Sequence, residues 1–185
     1  RLAAQGVAAE VHVYGAYPCK ELMDLDDPRS GFRVKGWAKD ALETVGRYRV
    51  ALAPLRFGAG IKGKISDAWA TGTPCVTTAI GAEGMTDGLP FAGAVADDWD
   101  EFAEAAARLY VEEPAWQEVR KRGGALMSQV YDRDRIASAL LARFERLRTD
   151  LSNVRERNFV GAMLWHHGAR STEYFSRWIE GKKSK

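Results

Sequence analysis

One segment carries most of the structural information in this chain: Ala53-Pro54-Leu55-Arg56-Phe57-Gly58-Ala59-Gly60-Ile61-Lys62-Gly63-Lys64-Ile65-Ser66-Asp67-Ala68-Trp69-Ala70. The apolar run that leads into it, residues 49–53, is typical of a buried strand that Pro54 ends. A glycine-rich turn follows over residues 57–63. Residues 64–70 then have the pattern of a helix, which stops at Gly72-Thr73-Pro74. A strand, a turn and a helix in this order form the βα unit from which parallel sheets are built.

Strands and helices alternate on both sides of this unit. Short alternating or apolar runs predict further strands at residues 10–15, 31–36, 74–77 and 91–96. Apolar residues at helical spacing predict helices at residues 40–47, 98–112, 114–129 and 132–151, and residues 80–88 are predicted to form a loop. This alternation predicts the α/β class, as a Rossmann-like parallel sheet flanked by helices. We expect one domain at residues 1–150 and a basic, aromatic helical extension at residues 151–185.

The composition is that of a globular protein. Hydrophobic residues make up 46% and charged residues 28% of the 185 residues, which argues against disorder. No apolar run approaches the ~20 residues that cross a bilayer, and the first residues have no signal-peptide pattern. The chain lacks an initiator Met, so we expect a piece of a longer, cytoplasmic protein. In that compartment Cys19 and Cys75 are expected to stay reduced.

The net charge of +2 is unevenly distributed. From Arg143 onward the chain has ten Lys or Arg and five Asp or Glu residues, so this part carries +5 and the rest −3. A basic tail can attract an anionic partner, but it is more often the solvated face of helices. We therefore expect no nucleic acid partner. A module that did bind nucleic acid through this tail would lose affinity steeply with salt.

The glycine-rich turn has the chemistry of a phosphate site. Glycines let backbone N–H groups approach a ligand closely, and a helix N-terminus offers unpaired N–H groups and partial positive charge. Arg56, Lys62 and Lys64 add formal positive charge at the same place. Asp67, slightly further along the helix, offers a carboxylate for ribose hydroxyls. The combination favours a sugar–diphosphate–nucleoside over a bare phosphate, and the alternative is a purely structural turn.

Two widespread nucleotide-binding motifs do not fit this segment. A Walker A loop needs a hydroxyl residue after its lysine, but Ile65 follows Lys64. Gly58, Gly60 and Gly63 have the spacing of a dinucleotide fingerprint. That motif also needs an acidic residue at the end of a strand about 20 residues further on, and none is found there.

The segment resembles the donor-binding signature of family 4 glycosyltransferases. The match comprises residues 54–64, then Asp67-Ala68-x-Ala70-x-Gly72-x-Pro74-x-Val76-x-Thr78 and Ile80-Gly81-x-Glu83-Gly84. Upstream, Val34-Lys35-Gly36-Trp37 resembles the strand and loop that carry a glycine near the nucleoside base. The resemblance spans residues 10–130 approximately. It implies the C-terminal domain of the two-domain GT-B fold, which binds a UDP-, GDP- or ADP-linked sugar.

The resemblance assigns roles to individual residues. The diphosphate and sugar would be wrapped by Gly58, Ala59 and Gly60. The phosphates would be neutralised by Lys64, with Arg56 or Lys62.

Two positions depart from the family pattern. Asp67 stands where the family usually has a ribose-binding Glu, so its contact would be longer or water-mediated. The family's earlier Glu, near the transferred sugar, falls on Ala59. The adjacent loop carries Thr77, Thr78, Gly81 and Glu83. Glu83 either contacts the sugar or base or caps the short turn before Met85.

The resemblance implies a retaining transfer that uses neither a metal ion nor another cofactor. The sequence identifies no catalytic residue. Asp24-x-Asp26-Asp27 has the letters of a metal site, but Pro28 and Ser30 beside it predict an exposed turn. His166 and His167 are adjacent on a predicted helix and cannot share a ligand face, so we interpret them as packing residues.

The acceptor half is not in this sequence. The resemblance implies an N-terminal acceptor domain of the same protein, against which the aromatic tail would dock; without it, the tail's apolar face would drive self-association. We expect the fragment of this hexosyltransferase-type enzyme to be inactive alone. The alternative is a non-catalytic nucleotide-binding or interaction module, which Ala59 slightly favours. A nucleotide-sugar epimerase would need clustered acids and a His near the sugar, which this sequence does not offer.

Overall fold

The computed structural model describes residues 2–3 and 6–183, with only the backbone described for residues 166–169 and 183. The chain separates into two compact units, Arg1–Asp132 and Arg133–Lys185. The helix that begins at Arg133 belongs to the second of these units. The functional division at residue 150 stays a prediction.

The first unit alternates strands and helices along the chain. Its strands are β1 (Val11–Tyr14), β2 (Phe32–Gly36), β3 (Ala51–Ala53), β4 (Cys75–Thr77) and β5 (Gly93–Val95). Its helices are α1 (Lys20–Met23), α2 (Ala41–Gly46), α3 (Gly63–Ala70), α4 (Ala79–Ala82), α5 (Trp99–Val111) and α6 (Glu113–Val130). The predicted strands and the longer predicted helices are confirmed. The loop predicted at residues 80–88 instead begins with the short helix α4, because Thr78 caps it by accepting a hydrogen bond from the Gly81 amide.

All strand pairs are parallel, which confirms the predicted α/β class. β1 pairs with β2, and β3, β4 and β5 pair in that order. Hydrogen bonding therefore divides the expected single sheet into two parts. Side chains link the two parts of the sheet. His12 Nδ1 on β1 lies 2.6 Å from the hydroxyl of Tyr48, a residue that precedes β3.

The core of the first unit holds α3 firmly. Ile65, Ala68 and Trp69 are its buried residues. The Trp69 indole N–H donates to the Ala92 carbonyl oxygen at 2.6 Å, just before β5. A Cβ added to Gly123 of α6 would lie 3.2 Å from Trp69 Cδ1, so α6 also packs closely against the indole. The helix that follows the glycine-rich turn is thus fixed between β5 and α6.

The second unit consists of α7 (Arg133–Thr149), α8 (Leu151–Arg157) and α9 (Phe159–Lys183). This confirms that the C-terminal segment is helical. Of the side chains described, none in α7 or α8 is buried, and the apolar side chains of α9 are exposed. Self-association through them stays a prediction. No helix in the described part of the chain is both long and apolar enough to span a bilayer.

Gly123 and Gly124 form a matched pair that tests this packing. A Cβ added at Gly124 would meet no described heavy atom within 4 Å, whereas one at Gly123 would lie in tight contact with Trp69. We expect Gly123→Leu to lower the free energy of unfolding by about 1–3 kcal/mol. Gly124→Leu should raise it by about 0.5–1 kcal/mol, since glycine is a poor helix former. Urea unfolding of both variants measures this, and equal effects at the two positions would contradict the packing.

The two cysteines should differ sharply in reactivity. Cys75 in β4 is completely buried, and burial raises the pKa of its thiol to about 12, while Cys19 is free and exposed. Because the thiolate is the reactive form, a thiol reagent near pH 8 should modify Cys19 quickly and Cys75 only after unfolding. In a Cys19→Ser variant, native protein should give almost no signal and denatured protein the full signal of one thiol. Fast reaction of the native variant would show that β4 is accessible.

Candidate functional site

The candidate site lies at one edge of the β3–β4–β5 sheet. These strands are parallel and in register, so Ala53, Thr77 and Val95 pair side by side at their carboxyl ends. The glycine-rich turn follows β3 directly, and the loop with Thr78, Gly81 and Glu83 follows β4. Ligands of parallel α/β sheets bind beyond this edge. The structure therefore brings both sequence-predicted segments to the same edge.

The glycine-rich turn is open. Arg56 and residues 57–61 are all exposed. Gly60 has a φ of +68°, in the left-handed region that favours glycine. A Cβ added at Gly58 or Gly60 would meet no described heavy atom within 4 Å. The backbone of the turn is consequently accessible to a ligand from the solvent.

α3 begins immediately after this turn. Within the described part of the chain, its preceding residue Lys62 makes no side-chain cap to the helix. Lys64 is exposed in the first turn, and Asp67 is half-buried one turn later. A helix start without a side-chain cap leaves N–H groups for an external acceptor, and its dipole favours an anion. The turn, the helix start and Lys64 together have the features of an anion-binding site, and this assignment stays a prediction.

Two threonines at the end of β4 hold the start of the turn. The Thr77 hydroxyl donates to the Ala53 carbonyl oxygen at 2.8 Å, and the Thr78 hydroxyl donates to that of Leu55 at 2.6 Å. Thr78 also accepts from the Gly81 amide at 3.2 Å. A side chain at Gly81 would overlap the Thr77 hydroxyl. Thr78 therefore fixes the start of the glycine-rich turn, and Gly81 leaves room for the Thr77 hydroxyl. Both Thr78 and Gly81 are predicted site residues.

Lys62 and Glu83 are connected across the two loops. Lys62 is only 8% exposed, and its Nζ donates to the Glu83 carbonyl oxygen at 2.9 Å. The Lys62 amide lies 3.2 Å from Sδ of the fully buried Met85. The carboxylate of Glu83 is exposed, and its backbone ends α4 by donating to Ala79 O at 3.0 Å.

Sequence reasoning missed the residues that support this loop. The Tyr131 hydroxyl, just after α6, donates to the Met85 carbonyl oxygen at 2.7 Å. The Asp97 carboxylate accepts from the Ala79 amide at 2.9 Å. Asp97 follows β5 in a parallel sheet, so the strand pattern alone would place it at this edge. Tyr131 has no comparable signal in the sequence.

The remaining polar clusters serve the local fold. Asp26 accepts hydrogen bonds from the Val34 amide at 3.1 Å and from Arg33 Nε at 3.0 Å, which lower the pKa of its carboxyl. Asp27 accepts from the Arg29 amide in the predicted exposed turn. Among the described side chains, no group of three or more His, Cys, Asp or Glu could hold a metal ion. The side chains of His166 and His167, interpreted from the sequence as packing residues, lie outside the described residues.

Fold and geometry together describe a parallel α/β domain with an open glycine-rich turn at the carboxyl edge of its β3–β4–β5 sheet. The chain belongs to the family of glycosyl transferases group 1, whose model matches residues 1–112. This confirms the predicted glycosyltransferase membership at the level of group 1, and the finer assignment to family 4 stays a prediction. No curated protein matches the sequence.

Solved structures show the same fold. Twelve chains match, among them one in the crystal structure of TarM, with a TM-score of 0.60 and 14% sequence identity. That alignment covers 76% of this chain but 30% of the TarM chain. The likeness confirms the predicted GT-B-type fold, and the chain spans about a third of the TarM chain's length.

Thr78 offers a test of how the site is held. Thr78→Val removes both the donor to Leu55 O and the cap of α4, so we expect a loss of about 1–2 kcal/mol in unfolding free energy. Thr78→Ser keeps the hydroxyl and should lose less than about 1 kcal/mol. Chemical denaturation compares the two. A larger loss in Thr78→Ser than in Thr78→Val would mean that the methyl group, rather than the hydroxyl, stabilises this edge.

Proposed function

We propose that this chain binds a nucleotide-diphosphate sugar as the donor domain of a retaining, metal-independent glycosyltransferase. One observation carries the proposal: an open glycine-rich turn leads directly into the start of α3, which has no side-chain cap and bears an exposed lysine. A diphosphate fits this place because it accepts hydrogen bonds from backbone N–H groups and carries the complementary charge. Family membership supports the same ligand class.

Each part of the site has a task in this proposal. The backbone of Gly58, Ala59 and Gly60 wraps the diphosphate and the attached sugar. Lys64 and Arg56, the exposed cations of the segment, neutralise the phosphates. Asp67 binds the ribose hydroxyls, and the base lies near Gly36 and Trp37. UDP, GDP and ADP are the candidate nucleotides.

The same groups would assist the transfer step. Breaking the bond between the sugar and the diphosphate leaves additional negative charge on the terminal phosphate. Lys64, Arg56 and the N-terminal dipole of α3 stabilise that charge in fixed positions, so the protein does not reorganise as the charge develops. Basic side chains thereby take the role that a divalent metal ion has in other transferases.

The complete enzyme would transfer a hexosyl group to an acceptor held by an N-terminal domain of the same protein. The fragment alone would then bind the donor and transfer nothing. Ala59, at the position of the family's earlier Glu, favours a second candidate: a nucleotide-binding or interaction module that kept the fold without catalysis. The cytoplasmic location stays a prediction.

Calorimetric titration with UDP, GDP and ADP tests donor binding. We expect saturable binding of one nucleotide, weakened about tenfold or more by Lys64→Ala, because a charge-assisted hydrogen bond to phosphate is lost. Lys121→Ala removes an exposed lysine from α6 and serves as the control with unchanged affinity. Equal weakening by both variants would indicate non-specific attraction. A folded sample that binds none of the three up to millimolar concentration would contradict the proposal.

A further inference from the structure

The two lysines of the Lys62-Gly63-Lys64 segment lie in different environments. Lys64 is exposed at the start of α3, whereas Lys62 is almost completely buried. Residues two apart at a helix start do not face the same way, so one ligand cannot use both side chains equally. The buried side chain offers little surface to a diphosphate, and the exposed one offers much.

Lys62 holds the segment that follows α4, which we call the Glu83 loop (residues 83–88). Its Nζ donates to the carbonyl oxygen of Glu83 at 2.9 Å, and its amide contacts Met85 Sδ at 3.2 Å. Gly84 lies between these two contacts with a φ of +70°, in the left-handed region. Tyr131 fixes Met85 from the other side through the Met85 carbonyl oxygen. One residue of the glycine-rich segment thus holds the start of the Glu83 loop at two points.

This contact places Glu83 beside the glycine-rich turn. The Glu83 carbonyl oxygen is in contact with Lys62, the residue that directly precedes α3. The carboxylate of the same residue is exposed, and no partner for it is found among the described residues. A carboxylate beside a diphosphate site is suited to accept hydrogen bonds from sugar hydroxyls, and it would repel a further phosphate.

We propose that Lys62 is a positioning residue: it holds the Glu83 loop so that the Glu83 carboxylate binds the sugar of the donor. The inference rests on the proposed donor function and adds the group that contacts the sugar. Lys64 and Arg56 bind the phosphates directly, whereas Lys62 acts through Glu83. Loss of Lys62 should therefore affect the sugar-bearing ligand more than the bare nucleoside diphosphate.

The test compares two probes on the same protein. Calorimetry uses the nucleoside diphosphate that binds the wild type, chosen from UDP, GDP and ADP, and its glucose, galactose and N-acetylglucosamine esters. For the best-bound ester, Lys62→Met and Glu83→Gln should each weaken binding about tenfold, as expected for one charge-assisted hydrogen bond or its support. Affinity for the bare diphosphate should change less than about threefold, and Lys62→Arg, which keeps the donor groups, should recover most of the loss.

Several outcomes would overturn the inference. If Lys62→Met weakens the affinity for the diphosphate and for the ester equally, Lys62 is a phosphate ligand. If neither affinity changes, Lys62 has no role in donor binding. A wild-type protein that binds every ester no more tightly than the diphosphate would rule out a sugar contact by Glu83. The Lys121→Met variant controls for loss of a positive charge elsewhere.

Hydrogen exchange without ligand separates this inference from the donor function. In Lys62→Met, amides of residues 83–85 should exchange about tenfold faster than in the wild type, because the loop has lost its hydrogen bond. Exchange in α5, which takes no part in the contact between Lys62 and the Glu83 loop, should be unchanged. Unchanged exchange at residues 83–85 would disprove the positioning role even if a nucleotide binds. If exchange is faster but no nucleotide binds, the contact between Lys62 and the Glu83 loop is supported and the donor function is refuted.

Discussion

The position of α3 is the constraint on which the rest of the site depends. Trp69 is 2% exposed, donates its indole N–H to the Ala92 carbonyl oxygen and packs edge-on against Phe91. Together with Ile65 and Ala68 it commits one face of a two-turn helix to the core. An isolated helix of this length would be unstable in water, so its existence depends on this burial. The helix start, and hence the candidate site, is therefore placed by the buried face of α3.

An anchored helix allows the preceding turn to remain open. The segment from Arg56 to Ile61 buries almost nothing, and such a segment contributes little to stability by itself. Its two ends are nevertheless fixed, at Leu55 by the hydroxyl of Thr78 and at Lys62 by Met85 and Glu83. The backbone N–H groups of the turn thus stay available to a ligand, although both ends of the segment are fixed. Binding then requires little ordering of the chain, which is the main entropic cost of ligand binding by a loop.

Local chemistry explains which features the sequence could predict. The strand before Pro54, the glycine-rich turn and the helix that ends before Gly72 all depend on residues adjacent to one another, and the sequence predicts each of them correctly. The same holds for the parallel sheet, because short strands alternate with helices. Contacts between residues distant in sequence are different. The bond from Lys62 to Glu83 and that from Tyr131 to Met85 join loops that only the folded sheet brings together. From the sequence alone, a basic residue in a glycine-rich segment is interpreted as a phosphate ligand, because the sequence does not show the direction of its side chain.

The alternation of buried and exposed cations has a physical reason. An almost completely buried ammonium group needs a hydrogen-bond acceptor, because an unpaired buried donor costs about 1–3 kcal/mol. Directing Lys62 inward, onto a carbonyl oxygen rather than a carboxylate, keeps its positive charge while satisfying a donor. The hydrogen bond of Lys62 thus serves the neighbouring loop, which leaves Lys64 and Arg56 as the cations that are exposed at the turn.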